Sequence, residues 1–120
     1  MPFKEVLVVD DDIITQNMLK TTLRNAGYSF AVASSGREAV DLASQRLPGV
    51  IILDIMMADI LRDNPRTKGI PIIFLSSLIS QQEERIGSKK DIVSFLSKPY
   101  NREVLLNEVR RYLSLRENSY

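Results

Sequence analysis

Acidic, hydroxyl and ammonium side chains stand at the ends of apolar runs in this sequence. They are Asp10, Asp11 and Asp12 after the run 6–9, Asp54 after 50–53, Ser76 after 70–75, and Lys98 just beyond 92–96. Crowded carboxylates repel one another and are costly unless a cation neutralises them. Mg²⁺ prefers oxygen ligands and keeps coordination positions open for a substrate. An aspartate beside Mg²⁺, a hydroxyl and an ammonium is equipped to accept a phosphoryl group, because each of these groups can stabilise a phosphoryl oxygen.

The run Val50–Leu53 is the stretch around which these groups are arranged. It has no polar alternation, which is typical of a strand buried on both faces of a parallel sheet. Its acid, Asp54, then lies at the carboxyl end of a central strand, where open α/β sheets place their ligand sites. The run Val6–Val9 has the same pattern and leads into the acidic cluster. We therefore expect the carboxylates to meet at one edge of a sheet.

The remaining sequence alternates between strand and helix patterns. Strands are predicted at 6–9, 28–33, 50–54, 70–75 and 92–96, and helices at 14–26, 36–47, 58–63 and 80–90, with a last helix that follows the N-cap Asn101 and ends with residues 112–118. Right-handed crossovers between parallel strands arrange such a chain as a three-layer α/β sandwich. With 120 residues and 44% hydrophobic residues, the chain is predicted to form one domain, residues 1–120.

The helix ends and the inward faces are also predicted from residue types. The predicted N-caps are Asp12, Ser35 with Glu38, Ser80 with Glu83, and Asn101, and Gly27 is predicted to end the first helix. The inner stripe of the first helix is predicted as Ile14, Met18, Leu19, Thr22, Leu23 and Ala26, with Gln16 on the opposite, polar side. The inner stripe of the last helix is predicted as Val104, Leu105, Val109, Tyr112 and Leu113.

Composition excludes several kinds of chemistry. The sequence contains no cysteine and no histidine, so thiolate chemistry, histidine metal ligands and a phosphohistidine on this chain are all excluded. Sixteen basic and fifteen acidic residues give a net charge of +1, so no overall field favours nucleic acid or a membrane surface. No apolar run approaches a membrane span and no signal-peptide layout is present, so a cytoplasmic protein is expected.

Four sequence blocks resemble the signature blocks of the receiver domain of two-component response regulators. They are Val8-Val9-Asp10-Asp11-Asp12, Ile52-Leu53-Asp54-Ile55-Met56-Met57, Ile70-Pro71-Ile72-Ile73-Phe74-Leu75-Ser76 and Phe95-Leu96-Ser97-Lys98-Pro99-Tyr100. The resemblance covers nearly the whole chain. It implies a flavodoxin-like five-stranded parallel sheet of order 2-1-3-4-5.

The same resemblance implies a metal site and a phosphoacceptor. Asp54 would accept the phosphoryl group, while Mg²⁺ or another divalent cation would be bound by Asp10, Asp11, Asp54 and the backbone carbonyl of Met56. A domain of this family assists its own phosphorylation and dephosphorylation without being a turnover enzyme.

Further roles follow from the resemblance for residues of the last two strands. Ser76 would be a switch hydroxyl that turns toward the phosphoryl group, and Lys98 would pair with that group. A cis peptide bond would join Lys98 to Pro99. Phe95 would be an aromatic side chain that moves with Ser76, and a plain core position is the alternative for it.

The chain departs from the family pattern at two places. After Met57, the loop and third helix are shorter than the family's by roughly eight residues, with Ala58-Asp59-Ile60 in their place. Before the fifth strand, Lys90-Asp91 stands where the family usually has Gly-Ala.

Three functions are compatible with these residues. The main prediction is a phosphorelay receiver that takes its phosphoryl group from a histidine kinase or a histidine phosphotransfer protein. Its output domain or partner would bind the face made by the helix at 80–90, the fifth strand and the last helix, and a homodimer is a further expectation. The first alternative is a degenerate, loop-shortened receiver that acts as a binding or dimerisation module. The second is a small phosphatase similar to the haloacid dehalogenase superfamily. Direct binding to nucleic acid or membranes is not expected.

Overall fold

Five parallel strands in the order β2-β1-β3-β4-β5 form the centre of the molecule. The structure is a computed structural model that describes residues 4–57, 67, 69–77 and 93–117. The strands are β1 (Val6–Val9), β2 (Phe30–Ala33), β3 (Val50–Asp54), β4 (Ile72–Ser76) and β5 (Val93–Ser97). The predicted fold class and strand order are therefore confirmed.

Three α-helices and one short 3₁₀-helix are found in the described ranges. They are α1 (Ile13–Asn25), α2 (Gly36–Arg46), α3 (Arg102–Glu117) and the 3₁₀-helix Ile55–Met57, which follows β3 directly. The helices predicted at 58–63 and 80–90, with the N-cap at Ser80, lie outside the described residues, as does the predicted shortening after Met57. Among the described helices, none combines the length and the apolar character that crossing a membrane would require.

Alternate residues along the strands supply two core layers, one on each face of the sheet. This arrangement explains why the strand sequences are apolar without interruption, since both faces are covered. The layer beneath α1 and α3 contains Val6, Val8, Leu19, Leu23, Val50, Ile52, Ile73, Leu75, Leu105, Val109, Tyr112 and Leu113. The layer beneath α2 contains Leu7, Val9, Ala33, Ala39, Ala43, Ile51, Leu53, Ile55, Ile70 and Phe74.

Both ends of α1 carry the predicted caps. The carboxylate of Asp12 accepts hydrogen bonds from the amides of Ile14 and Thr15. At the other end, Gly27 adopts a positive φ of 86° and its amide donates to the carbonyl of Arg24. The amide of Tyr28 donates to the carbonyl of Leu23, which completes a Schellman motif.

The caps of α2 are partly as predicted. The Oγ of Ser35 accepts from the amide of Glu38 at 3.2 Å, which confirms this N-cap, while the carboxylate of Glu38 accepts from the amide of Ser34 rather than that of Ser35. Leu47 is the C-cap of the helix and adopts a left-handed φ of 46° just before Pro48.

The predicted inner stripes of α1 and α3 are wrong at four positions, because Ile14, Met18, Ala26 and Val104 are exposed. Ile14 and Met18 are 67% and 45% exposed, whereas Gln16, which was placed on the polar side, is only 4% exposed. Val104 is 45% exposed, because it lies in the first turn of α3 beside the capping residue Asn101, whose Oδ1 accepts its amide. The other predicted inner residues of α3 are buried.

Strand boundaries differ from the predictions by one or two residues. β4 begins at Ile72 instead of Ile70, because the amide of Ile70 closes a turn onto the carbonyl of Thr67 and Pro71 has no amide hydrogen to donate. β2 begins at Phe30, whereas the prediction began at residue 28. β5 covers 93–97, whereas the prediction covered 92–96.

Candidate functional site

The carboxyl ends of β1 and β3 bring the acidic residues together. Val9 pairs with Leu53 across the two strands, so Asp10 and Asp54 emerge side by side. One carboxylate oxygen from each of Asp10, Asp11 and Asp54 lies within 4.8 Å of the others. The side chain of Asp10 is buried and that of Asp54 is 14% exposed, whereas Asp11 is exposed.

Lys98, placed immediately after β5, reaches across β4 to this acidic cluster. Its Nζ lies 3.0 Å from Oδ2 of Asp10 and 3.3 Å from Oδ2 of Asp54. Burial alone would lower the pKa of Lys98, but the hydrogen bond and charge of Asp10, together with those of Asp54, raise it above its ordinary value. The ammonium is therefore charged at neutral pH.

The backbone around Lys98 fixes where its side chain starts. The amide of Lys98 donates to the carbonyl of Ser76 at 3.0 Å, which extends the pairing of β4 with β5 by one bond. The peptide bond between Lys98 and Pro99 is cis. Tyr100 then shares a hydrogen bond of 2.8 Å with the hydroxyl of Thr22 on α1. The loop that carries Lys98 is thus tied to β4 and to α1.

Two of the three acidic side chains have fixed hydrogen-bond partners. Oδ1 of Asp10 accepts from the amide of Asp12 at 2.9 Å, and Oδ1 of Asp54 accepts from the amide of Met56 at 3.1 Å. In this arrangement Met56 contributes its amide to the site while its side chain is 82% exposed. The metal-binding role of the Met56 carbonyl stays a prediction.

Ser76 and Phe95 occupy neighbouring strands beside this cluster. Ser76, the last residue of β4, is buried and pairs in register with Ser97. Phe95 is half-buried and stacks on Phe74, with ring centroids 5.3 Å apart and an interplanar angle of 23°. These positions place both residues near the Lys98 loop, and their switch roles stay predictions.

The sequence did not identify Gln16, Thr22 and Tyr100 as residues of this site. Thr22 was predicted only to face the core, and Gln16 was predicted to face solvent. The position of Tyr100 directly after Lys98-Pro99 could have indicated that it lies near the site. Its hydrogen-bond partner Thr22, however, is 78 residues away in the chain. No local pattern reports such a contact.

The donor set fits a hard divalent cation. All three candidate ligands in the described ranges are carboxylates, which Mg²⁺ and Ca²⁺ prefer to nitrogen or sulfur ligands. Three carboxylates, each formally −1, and the ammonium of Lys98, formally +1, together have a formal charge of −2, which one divalent cation would neutralise. Asp10, Asp11 and Asp54 would hold such a cation.

The fold and the site define a doubly wound α/β protein with an acidic site at the carboxyl edge of its sheet. The response regulator receiver domain family matches residues 6–110. The response regulator MprA of Mycolicibacterium vanbaalenii is 34% identical over 119 residues, which are 94% of this chain and 51% of that protein. The transcriptional regulator RpaA of a Synechocystis strain, described as DNA-binding, is 31% identical over 116 residues, 90% of this chain and 48% of that protein.

A solved structure agrees with these sequence comparisons. The chemotaxis protein CheY4 of Vibrio cholerae has a TM-score of 0.77 and 31% identity to this chain, over 92% of this chain and 98% of that one. The chain belongs to the response regulator receiver domain family of two-component signalling. It spans about half the length of the curated relatives that it matches.

Proposed function

We propose that Asp54 is the phosphoacceptor of this receiver domain and that a divalent cation bound by Asp10, Asp11 and Asp54 supports the transfer. The observation that carries the proposal is the contact of Lys98 with both Asp10 and Asp54, at 3.0 and 3.3 Å, beside a third carboxylate. A single ammonium set between carboxylates stabilises the negative charge that an incoming phosphoryl group brings.

The proposed reaction is an in-line transfer from a phosphohistidine of a partner protein. A carboxylate oxygen of Asp54 forms a bond to phosphorus while the bond between phosphorus and the imidazole nitrogen breaks, and the leaving imidazole takes up a proton. Lys98 pairs with one phosphoryl oxygen, and the hydroxyl of Ser76 turns toward another. The cation, when bound, neutralises charge on the phosphoryl oxygens. These 120 residues contain no histidine, so the phosphohistidine donor lies outside them.

The donor is proposed to be a histidine kinase or a histidine phosphotransfer protein. Exposed apolar side chains lie within a few residues of the acidic ones in the chain, and a partner could contact them. Ile13 and Ile14, which follow the capping residue Asp12, are 61% and 67% exposed, and Met56 is 82% exposed. Exposed apolar side chains beside polar ones are typical of protein contact sites.

Output through a further partner or domain is part of the same proposal. The relatives are about twice as long as this chain, and one of them is described as DNA-binding. The absence of nucleic-acid binding by this chain therefore stays a prediction, and so does a homodimer. The helix predicted at 80–90 lies outside the described residues, so the proposed output face is described here only in β5 and α3. The cytoplasm is the proposed location.

Binding of beryllofluoride, a phosphoryl mimic, tests the proposal. With Mg²⁺ present, calorimetry should detect binding to the wild type and no measurable binding to Asp54→Asn. The matched control is Asp41→Asn, which removes the same charge from an exposed position on α2 and should bind like the wild type. Equal binding by Asp54→Asn would overturn the proposal. Absence of binding by every variant, together with no response to millimolar Mg²⁺, would favour the binding-module alternative.

A further inference from the structure

Gln16 is a buried polar residue that the proposed chemistry does not use. Its side chain, 4% exposed, points from α1 toward the ends of β1 and β2. Its Nε2 donates to the backbone carbonyl of Asp10 and, at 3.0 Å, to the hydroxyl of Ser34. An amide that is buried in this way is held by its partners, because a buried donor without an acceptor is costly.

The three candidate metal ligands are not held equally. Asp10 accepts hydrogen bonds on both carboxylate oxygens, from the amide of Asp12 and from Lys98. Asp54 accepts from the amide of Met56 and from Lys98. In the described part of the chain, the exposed carboxylate of Asp11 accepts no hydrogen bond. Its position therefore depends on the backbone to which it is attached.

That backbone is the peptide unit between Asp10 and Asp11, and Gln16 holds it. The carbonyl of this unit accepts the hydrogen bond from Gln16, while the preceding amide, that of Asp10, donates to the carbonyl of Ala33 at 3.2 Å. Rotation of the peptide plane would break the bond to Gln16 and turn the side chain of Asp11 away from its neighbours. One side chain on α1 thus restrains the direction in which Asp11 leaves the strand end.

We infer that Gln16 is a positioning residue for the cation site, and that it acts by orienting the Asp10–Asp11 peptide so that the Asp11 carboxylate faces Asp10 and Asp54. This inference rests on the proposed function, because it takes the three carboxylates as ligands. Residues that orient metal ligands through hydrogen bonds, without contacting the metal themselves, commonly contribute tenfold or more to metal affinity.

The test measures Mg²⁺ affinity by calorimetry on EDTA-stripped protein. Gln16→Met keeps the length of the side chain and removes the donor, and it should weaken Mg²⁺ binding roughly tenfold. Thr21→Val is the control, since it removes a different side-chain hydrogen bond on α1, to the carbonyl of Asn17, and should leave the affinity within about twofold. Ser34→Ala removes the second partner of Gln16 and should also leave the affinity unchanged.

The decisive comparison uses Asp11→Asn as a background. If Gln16 acts through Asp11, adding Gln16→Met to Asp11→Asn weakens binding by less than about twofold. An equal tenfold loss in both backgrounds would overturn the inference, as would unchanged affinity in Gln16→Met. If Gln16→Met does not fold by circular dichroism, Gln16→Glu, of the same shape but without the donor, replaces it. A wild type that binds no Mg²⁺ would instead overturn the cation in the proposed function.

Discussion

At the scale of single residues, one ammonium group serves two carboxylates. Lys98 contacts both Asp10, whose side chain is 1% exposed, and Asp54, whose side chain is 14% exposed. Removing one partner of a buried ion pair is costly, because the remaining charge is left without solvent or counter-ion. Lys98 is therefore expected to stabilise the metal-free fold as well as to pair with a phosphoryl group.

This stabilisation has a predictable pH dependence. Because the pKa of Lys98 is raised in the folded chain, its contribution is complete below the ordinary value of 10.5 and is lost as the pH rises through the folded value. In urea denaturation without metal, wild type should be more stable than Lys98→Met by a constant amount near neutral pH. The difference should shrink only above the ordinary lysine pKa. If the stability difference instead grows as the pH rises, burial lowers the pKa of Lys98 by more than the two carboxylates raise it.

The residues that were predicted correctly are those whose position follows from the sheet itself. In a parallel sheet, residues that end adjacent strands must meet at one edge, so Asp10, Asp54 and Lys98 were brought together by topology alone. Gln16 was predicted to face solvent, because hydrophobic periodicity assigns side chains to the inner or outer face of a helix by polarity alone. In the first turns of α1, the inward position faces backbone carbonyls of a strand end, which a glutamine amide can satisfy and Ile14 cannot.

At the scale of elements, helix ends were predictable where a single residue type determines them. Asp12 caps the start of α1 with its side chain, and Gly27 adopts the positive φ that ends the helix. Both ends of α1 were therefore predicted correctly. The end of α2 was also predicted within one residue, although Leu47 adopts a left-handed conformation that its residue type disfavours. There, Pro48 prevents the helix from continuing, and the preceding residue accommodates the turn.

The hydrogen bond between Tyr100 and Thr22 joins the loop after β5 to α1. Tyr100→Phe leaves the buried hydroxyl of Thr22 without this partner and should cost about 1 kcal/mol of unfolding free energy. In the double variant with Thr22→Val, the loss should be smaller than the sum of the single losses, with a coupling of about 0.5–1.5 kcal/mol.

The control for this cycle is Thr21→Val, which alters an exposed threonine on the same helix. Its hydroxyl bonds the carbonyl of Asn17 within α1, so its effect should add to that of Tyr100→Phe without coupling. Urea denaturation of the six proteins measures both cycles. Equal coupling for Thr21 and Thr22 would show that the hydrogen bond does not join the Lys98 loop to α1.

At the scale of the whole molecule, the acidic site lies where the stable core ends. The central strands β1 and β3 are buried along their length. The carboxylates of Asp10 and Asp54 stand where these two strands end. Repulsion among these carboxylates opposes folding, and in the described part of the site Lys98 is the cation that offsets it. A cation that binds the folded chain alone would therefore link site occupancy to global stability.

Mg²⁺ should accordingly raise the melting temperature of the whole domain. A ligand that binds only the folded state at a hundredfold excess over its Kd contributes about 2.7 kcal/mol, which for a domain of this size is a shift on the order of 10 °C. Asp11→Asn, which removes one of the proposed ligands, should lose most of this shift, while Asp41→Asn, which removes the same charge from α2, should keep it. Differential scanning calorimetry with NaCl of matched ionic strength separates site binding from screening. Equal shifts for all three proteins would mean that Mg²⁺ acts on the overall charge and that these carboxylates do not form its site.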